Sequence, residues 1–284
     1  MNKKGYISAK TSRRVGTVCS YILLIAFACI FFTPFLWMLS TALKPTNQIF
    51  LNPPKWIPEP IMWENFGAIF RRMPLFGYLQ NTLVLAILPV IGQIFAAPMI
   101  AYSLTKIPWK GAKYIFPLIL VTMMIPWQVT QIPLFITWSK MNLVNTFVPL
   151  TLPAFFGAPY YIYLMRQFVK GLPDSVIEAA RIDGAGEFKI LYRVVYPMCK
   201  PVLTTIMVLV FISGWNDLNG PLLYLQDSSK YTLSIGLQMF LTTARQEWDL
   251  LMAASTMFTV PLIVIFFLAQ KQFISGISTT SGLK

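Results

Sequence analysis

This chain of 284 residues has no histidine, only ten acidic residues and three cysteines. Without histidine it lacks the commonest proton shuttle near neutral pH and the commonest transition-metal ligand. No Gly-Lys dipeptide occurs, so a glycine-rich GxxxxGK[ST] phosphate cradle is absent, and any ATP used must be bound by another chain. Cys19, Cys29 and Cys199 form no CxxC motif and are not placed for pairing in an oxidising compartment. With no metal-ligand cluster and no nucleophile–base pair, a membrane-embedded enzyme is a poor reading. Charge is scarce as well, at 12% of residues, where soluble domains carry about 25%.

Apolar residues make up 56% of the chain, and mean hydropathy is +0.62. Charge-free runs cover 15–43, 73–105, 114–139, 141–165 and 250–270. Each reaches the ~20 residues a helix needs to cross a bilayer. The first is much longer than the roughly 7–15 apolar residues of a secretory leader and has no small-x-small site after it, so a span is expected there. A sixth run, 202–225, is interrupted by Asp217. Its twelve Val, Leu, Ile and Phe residues, at about 0.3–0.6 kcal/mol each, outweigh roughly 2.5–3.5 kcal/mol for one central Asp. The uncharged stretch 231–244 is shorter and suits an interfacial or re-entrant segment.

The expectation is an all-α integral membrane protein, one transmembrane domain over 1–284. Its six spans lie at about 16–43, 78–104, 114–137, 147–166, 202–225 and 249–270. Pro89 and Pro98 fall in the second, Pro117, Pro126 and Pro133 in the third; such prolines bend helices or mark a lined pathway. Sixteen of the 23 Lys and Arg lie in the two tails and the 106–113 and 166–200 loops, seven in the alternate loops. That imbalance puts both termini in the cytoplasm. The +13 charge therefore reads as topology and not as a nucleic-acid surface.

The cytoplasmic loop 166–201 contains "SVIEAARIDGAGEF" at 175–188. Ser175 and Glu178 have the spacing of a capping box, which predicts a helix to about Ile182 that Gly184 stops. A second amphipathic helix is predicted next, with Phe188, Leu191, Tyr192 and Val195 on its apolar side and Lys189 and Arg193 opposite. Ala179 and Ala180, flanked by Glu178, Arg181 and Asp183, give the first helix a slim side suited to a partner's groove. Asp217, about 22 Å along its span from Val202 at 1.5 Å per residue, is the one acid in the interior of a predicted span, Asp249 standing at the very edge of the last. Trp215, Asn216 and Asn219 surround it. Aromatic faces and amides suit sugar rings, so these four form a candidate substrate path; the alternative is a structural role holding the Gly214/Gly220/Pro221 break.

Glu178-Ala179-Ala180, Gly184, Val194 and Pro197 match the spacing E-A-A-x-x-x-G-x9-I-x-L-P, with Val194 for Ile and Tyr196 for Leu. By this pattern the chain resembles the membrane subunits of binding-protein-dependent ABC importers. "MIPWQVTQIPLF" at 124–135, "GWNDLNGPLL" at 214–223 and the C-terminal "QKQFISGISTTSGLK" are similar to the carbohydrate-uptake, maltose-type branch and its second permease. The resemblance implies a multi-pass protein of the bacterial inner membrane, paired with a second permease and served by an extracellular solute-binding protein. Two cytoplasmic ATPase subunits would bind ATP and magnesium, leaving this chain without cofactor or metal. It further implies that Glu178, Ala179, Ala180, Arg181, Asp183 and Gly184 couple ATPase closure to movement of the spans. Readings left open are an importer permease for a non-sugar solute and an ion-coupled secondary carrier.

Overall fold

The computed structural model describes residues 3–242 and 247–280, which contain helices and no strand. Two units are distinguished, Met1–Arg72 with Phe240–Met257, and Met73–Met239 with Phe258–Lys284.

In the first unit α1 (Lys3–Ala42) runs into a short 3-10 turn, then a proline-rich stretch, then α2 (Glu64–Arg72). Pro53, Pro54, Pro58 and Pro60 keep the stretch out of helix. Gly16–Ala42 is long and apolar enough to cross a membrane; its residues through Leu36 are exposed, and Thr41 and Ala42 at its end are buried. The exposed part is left for lipid or a partner. The Asn65 amide donates to the carbonyls of Ala42 (2.9 Å) and Lys44 (3.1 Å), fastening α2 to the end of α1. The Lys44 ammonium lies 3.8 Å from the Trp37 ring centre, whose other neighbour is Trp56, edge-on at 4.9 Å.

The second unit opens with α3 (Leu75–Lys106), which passes through Pro89 and Pro98 unbroken. The third expected span is not one helix. It divides into α4 (Ala112–Thr122) and α5 (Trp127–Lys140), bent by 98°. Pro126 is extended (ψ 134) at the bend, where proline cannot continue the hydrogen-bond ladder. The fourth is divided too: α6 (Val148–Thr151) and a 3-10 turn (Leu152–Phe156) end at Gly157, with φ +83, before α7 (Pro159–Lys170). Neither expected span is thus a single rod. Among the described residues, three helices can cross a membrane by length and composition, or up to five if each bent pair counts as one span.

The 166–201 loop forms α8 (Asp174–Ile182) and then an arm of α9 (Glu187–Ile190), a π turn (Leu191–Val195) and α10 (Tyr196–Met198), which meets α11 (Lys200–Asn216) at 81°. The fifth expected span stops at Asn216, since Asp217 is extended (ψ 121) and only α12 (Asn219–Tyr224) follows. The uncharged 231–244 stretch holds the ten-residue α13 (Leu233–Thr242), too short to cross. Last comes α14 (Trp248–Thr280).

The core of this unit is α3, α7 and α11. Ala97, Ala101 and Tyr102 pack with Ile162, Met165, Val169, Val202, Leu203 and Ile206. Small residues let backbones come close where lipid offers no hydrophobic drive. At Gly214 a Cβ would stand 2.9 Å from the Leu85 carbonyl oxygen and 3.0 Å from the Ala86 Cα, so α11 crosses α3 backbone to backbone.

Candidate functional site

Helix α8 is held by its inner side. Ile177 is buried in the α3/α7/α11 core, with Ala180 and Ala185 packed against it. The expected capping box does not form: Pro173 is the N-cap and no side chain caps the helix. Asp174, placed one residue earlier than Ser175, instead meets Lys106 Nζ at 2.6 Å, and the same ammonium donates to the Leu172 carbonyl at 2.7 Å. The C-terminal stop is as expected. Gly184 has φ +79, its N–H donates to Arg181 O, and Ala185 N–H donates to Ala180 O, both at 3.0 Å. These two bonds are the Schellman closure, which glycine permits by reaching the left-handed region without strain.

A polar latch joins the helix to α3. Arg181 Nε donates to Glu187 Oε1 at 2.9 Å, and Arg181 Nη2 donates to the Lys106 carbonyl at 3.0 Å. The Tyr102 hydroxyl donates to Glu187 Oε2 at 2.5 Å. The Arg181 donor, then the Tyr102 hydroxyl, hold the Glu187 carboxyl below its ordinary pKa. Arg181 thus turns toward the body of the protein, while Glu178, Ala179 and Asp183 are exposed and Ala180 is half-buried. The free side of α8 is more apolar than Ala179 alone implies. Val176, Ala179 and Ile182 share it at i, i+3 and i+6, and Ile182 is 86% exposed. Composition concealed this, because an isolated Ile within a polar helix reads as an inward residue.

The following arm corrects the expected apolar face. Ile190, Leu191, Val195 and Cys199 are buried, whereas Phe188 is 69% exposed and Tyr192 is exposed also. The π turn adds a residue to the helical repeat and so rotates the face away from a 3.6-residue projection.

Two cavities lie in the same unit. One, of about 450 Å³, is bounded by α3, the broken 148–161 segment and α11, with Gln93, Tyr161, Ser213 and Asp217 as polar lining. Gln93 Oε1 accepts from Ala158 N–H at 3.0 Å, satisfying the start of α7. The other, of about 380 Å³, is lined by Trp127, Thr130, Gln131, Asp217, Asn219 and Tyr224 among others. Of the four path candidates, Asp217 and Asn219 line cavities. Trp215 does not: it is 1% exposed, between Phe211 and Phe258 at 5.5 and 5.2 Å. The Asn216 amide turns back to the Ile212 carbonyl at 2.9 Å and lines neither cavity. Gln93, Trp127 and Gln131 escaped sequence reading because single amides and a Trp inside apolar runs carry no periodic signal. The last four residues of the C-terminal motif, 281–284, lie outside the described residues.

Long apolar helices, a loop helix closed by Gly184 and latched to one of them, and polar-lined cavities at helix breaks define a membrane component of a transport system. The chain belongs to the family of binding-protein-dependent transport system inner membrane components, whose model matches residues 90–279. It is 32% identical to the arabinooligosaccharides transport system permease protein of Halalkalibacterium halodurans, over 96% of this chain and 99% of that protein. To the sn-glycerol-3-phosphate transport system permease protein of Yersinia pestis it is 31% identical, over 93% and 96%. Among solved structures, a bacterial ABC transporter involved in import of the acidic polysaccharide alginate has a chain matching with TM-score 0.78 and 25% identity, covering 92% of this chain and 98% of that one.

Proposed function

We propose that this chain is one permease subunit of an ATP-driven importer for a saccharide, moving it inward by alternating access. The chain crosses the membrane six times with both termini in the cytoplasm, its third, fourth and fifth crossings being broken helices. A second permease completes the path, a solute-binding protein delivers cargo outside, and two ATPase subunits hold ATP and magnesium.

The carrying observation is the two-sidedness of α8. Its inner side is sealed to the body by Ile177 and the Arg181–Glu187–Tyr102 latch, while Val176, Ala179 and Ile182 are exposed. A short helix closed at its end by Gly184 is a rigid body, suited to fill a groove on an ATPase subunit. Displacement of that groove reaches α3 through the latch and α11 through the α9–α10 arm. The named cargo of the Halalkalibacterium relative and of the alginate importer supports the saccharide reading. The Yersinia relative favours, as a second reading, a phosphorylated small solute.

Glu178→Ala with Ile182→Glu tests the coupling role, because both side chains are exposed and neither change disturbs the core. ATPase subunits should no longer co-purify, and ATP-dependent uptake of arabinotriose by proteoliposomes should cease while the two permeases remain paired. Uptake at the parental rate would refute it.

A further inference from the structure

Sugars present an apolar C–H face and an edge of hydroxyls, so a site for them joins an exposed aromatic ring to fixed polar groups. The second cavity has that make-up. Trp127, the first residue of α5 after the bend at Pro126, is 48% exposed, and Thr130 and Gln131 follow at i+3 and i+4 on the same side of the helix. Facing them, the break after α11 contributes Asp217, and α12 contributes Asn219 at its start and Tyr224 at its end. Tyr224 is fixed by Phe135, stacked at 6.0 Å.

Asp217 is held from two sides. Its Oδ1 accepts from Gly220 N–H at 3.2 Å, and its main-chain carbonyl accepts from Ser234 Oγ at 2.6 Å. A side chain at Gly220 would intrude on it, since a Cβ there would lie 2.5 Å from Asp217 Oδ2. A carboxylate has about four lone-pair sites, so acceptor capacity remains for a cargo hydroxyl. The lining of both cavities includes Asp217 and no Lys or Arg. A neutral sugar brings hydroxyl donors to that carboxyl; a uronate or a phosphate brings a like charge.

We propose that this cavity is a saccharide subsite belonging to this chain, with the Trp127 indole as ring shelf and Asp217 as hydroxyl acceptor, and that it selects uncharged sugars over acidic ones. It rests on the sugar-permease reading and sharpens it: this permease itself reads the cargo and reads it against negative charge, unlike the relative that imports alginate.

The test uses the permease pair in lipid nanodiscs without receptor, so that the receptor's own selectivity does not enter. Saturation-transfer NMR is recorded with arabinotriose and with an alginate trisaccharide. Arabinotriose should receive saturation mainly at its ring C–H protons. Trp127→Ala should weaken its binding about tenfold, as truncation of an aromatic binding anchor does, and Trp127→Phe should restore most of it, which a merely unfolded variant could not. The alginate trisaccharide should bind at least several-fold more weakly, and Asp217→Asn should narrow that gap. Arabinotriose binding unmoved by Trp127→Ala, equal binding of both sugars, or no transfer to either would overturn the subsite. ATP-dependent arabinotriose uptake by the complete importer is measured alongside. Uptake that persists when the subsite test fails sinks the subsite alone, and uptake that is absent sinks the sugar reading.

Discussion

Glu187→Gln removes the charge at the centre of the latch while keeping an acceptor of the same shape. The ion pair with Arg181 has side chains 35% and 41% exposed, so by itself it contributes only about 0.2–1 kcal/mol. The Tyr102 bond is different. That tyrosine lies in the core, and a hydrogen bond to a charged group is worth about 1.5–3 kcal/mol, taken at the lower end because Glu187 is partly in water. The latch as a whole then amounts to about 2 kcal/mol, and Glu187→Gln or Tyr102→Phe should each cost about 1 kcal/mol. Because both changes act on one bond, the double variant should cost less than their sum by about 0.5 kcal/mol or more. Thermal unfolding of the detergent-purified permease pair measures this. Proteoliposomes measure the functional side: ATP hydrolysis should persist while arabinotriose carried per ATP falls several-fold. The lowered carboxyl pKa of Glu187 adds a pH signature. A depressed folded value gives stabilisation that is complete above the unfolded carboxylate range and lost as pH falls through the folded value, so the parental protein should lose stability on acidification and Glu187→Gln should lack that component. Strictly additive single and double costs, with unchanged transport per ATP, would refute the latch.

Two glycines give simpler expectations. Gly184→Ala has open space around the new Cβ, but φ is +79, so the cost is conformational, about 1–2 kcal/mol; a lower melting temperature should come with weaker ATPase co-purification. Gly214→Ala instead drives a methyl into the Leu85–Ala86 backbone, an overpacking cost of about 1–3 kcal/mol, and should lower the melting temperature without changing ATPase binding to the exposed side of α8.

The sequence disclosed its apolar crossings because charge is absent from long runs, and it disclosed the α8 stop because only glycine serves there. The breaks were less legible. Pro126, Gly157 and Asp217 each lie in a run whose hydropathy passes for a span, and hydropathy does not report the direction of the chain. Pro89 and Pro98 are equally visible in the sequence, yet α3 carries both without breaking. Proline alone thus does not decide. What separates the cases is the neighbouring backbone, extended at Pro126 and left-handed at Gly157. Asp217 and Asn219 could be picked out because polar groups inside a span are expensive. Trp215 was attractive for the same neighbourhood, but its indole is stacked into the core, and Trp127, remote in sequence, occupies the cavity wall.

These placements give α3 a central part in the proposed cycle. Tyr102 and Lys106 at its C-terminal end receive the latch. Gln93, nine residues back and so about 14 Å away along the axis, holds the start of α7 through Ala158. Leu85 and Pro89, further along, line the larger cavity with Gly214 and Asp217. A rod latched at one end to α8 and packed along its length against two walls of a cavity cannot tilt without reshaping that cavity. The close crossing at Gly214 prevents α11 from lagging behind, since no side chain lies between the backbones to yield. Coupling therefore depends on backbone proximity and on a few polar bonds at helix ends. Changes at Tyr102, Gln93 or Gly214, none of which lies on the exposed side of α8, should accordingly affect transport per ATP before they affect ATPase binding.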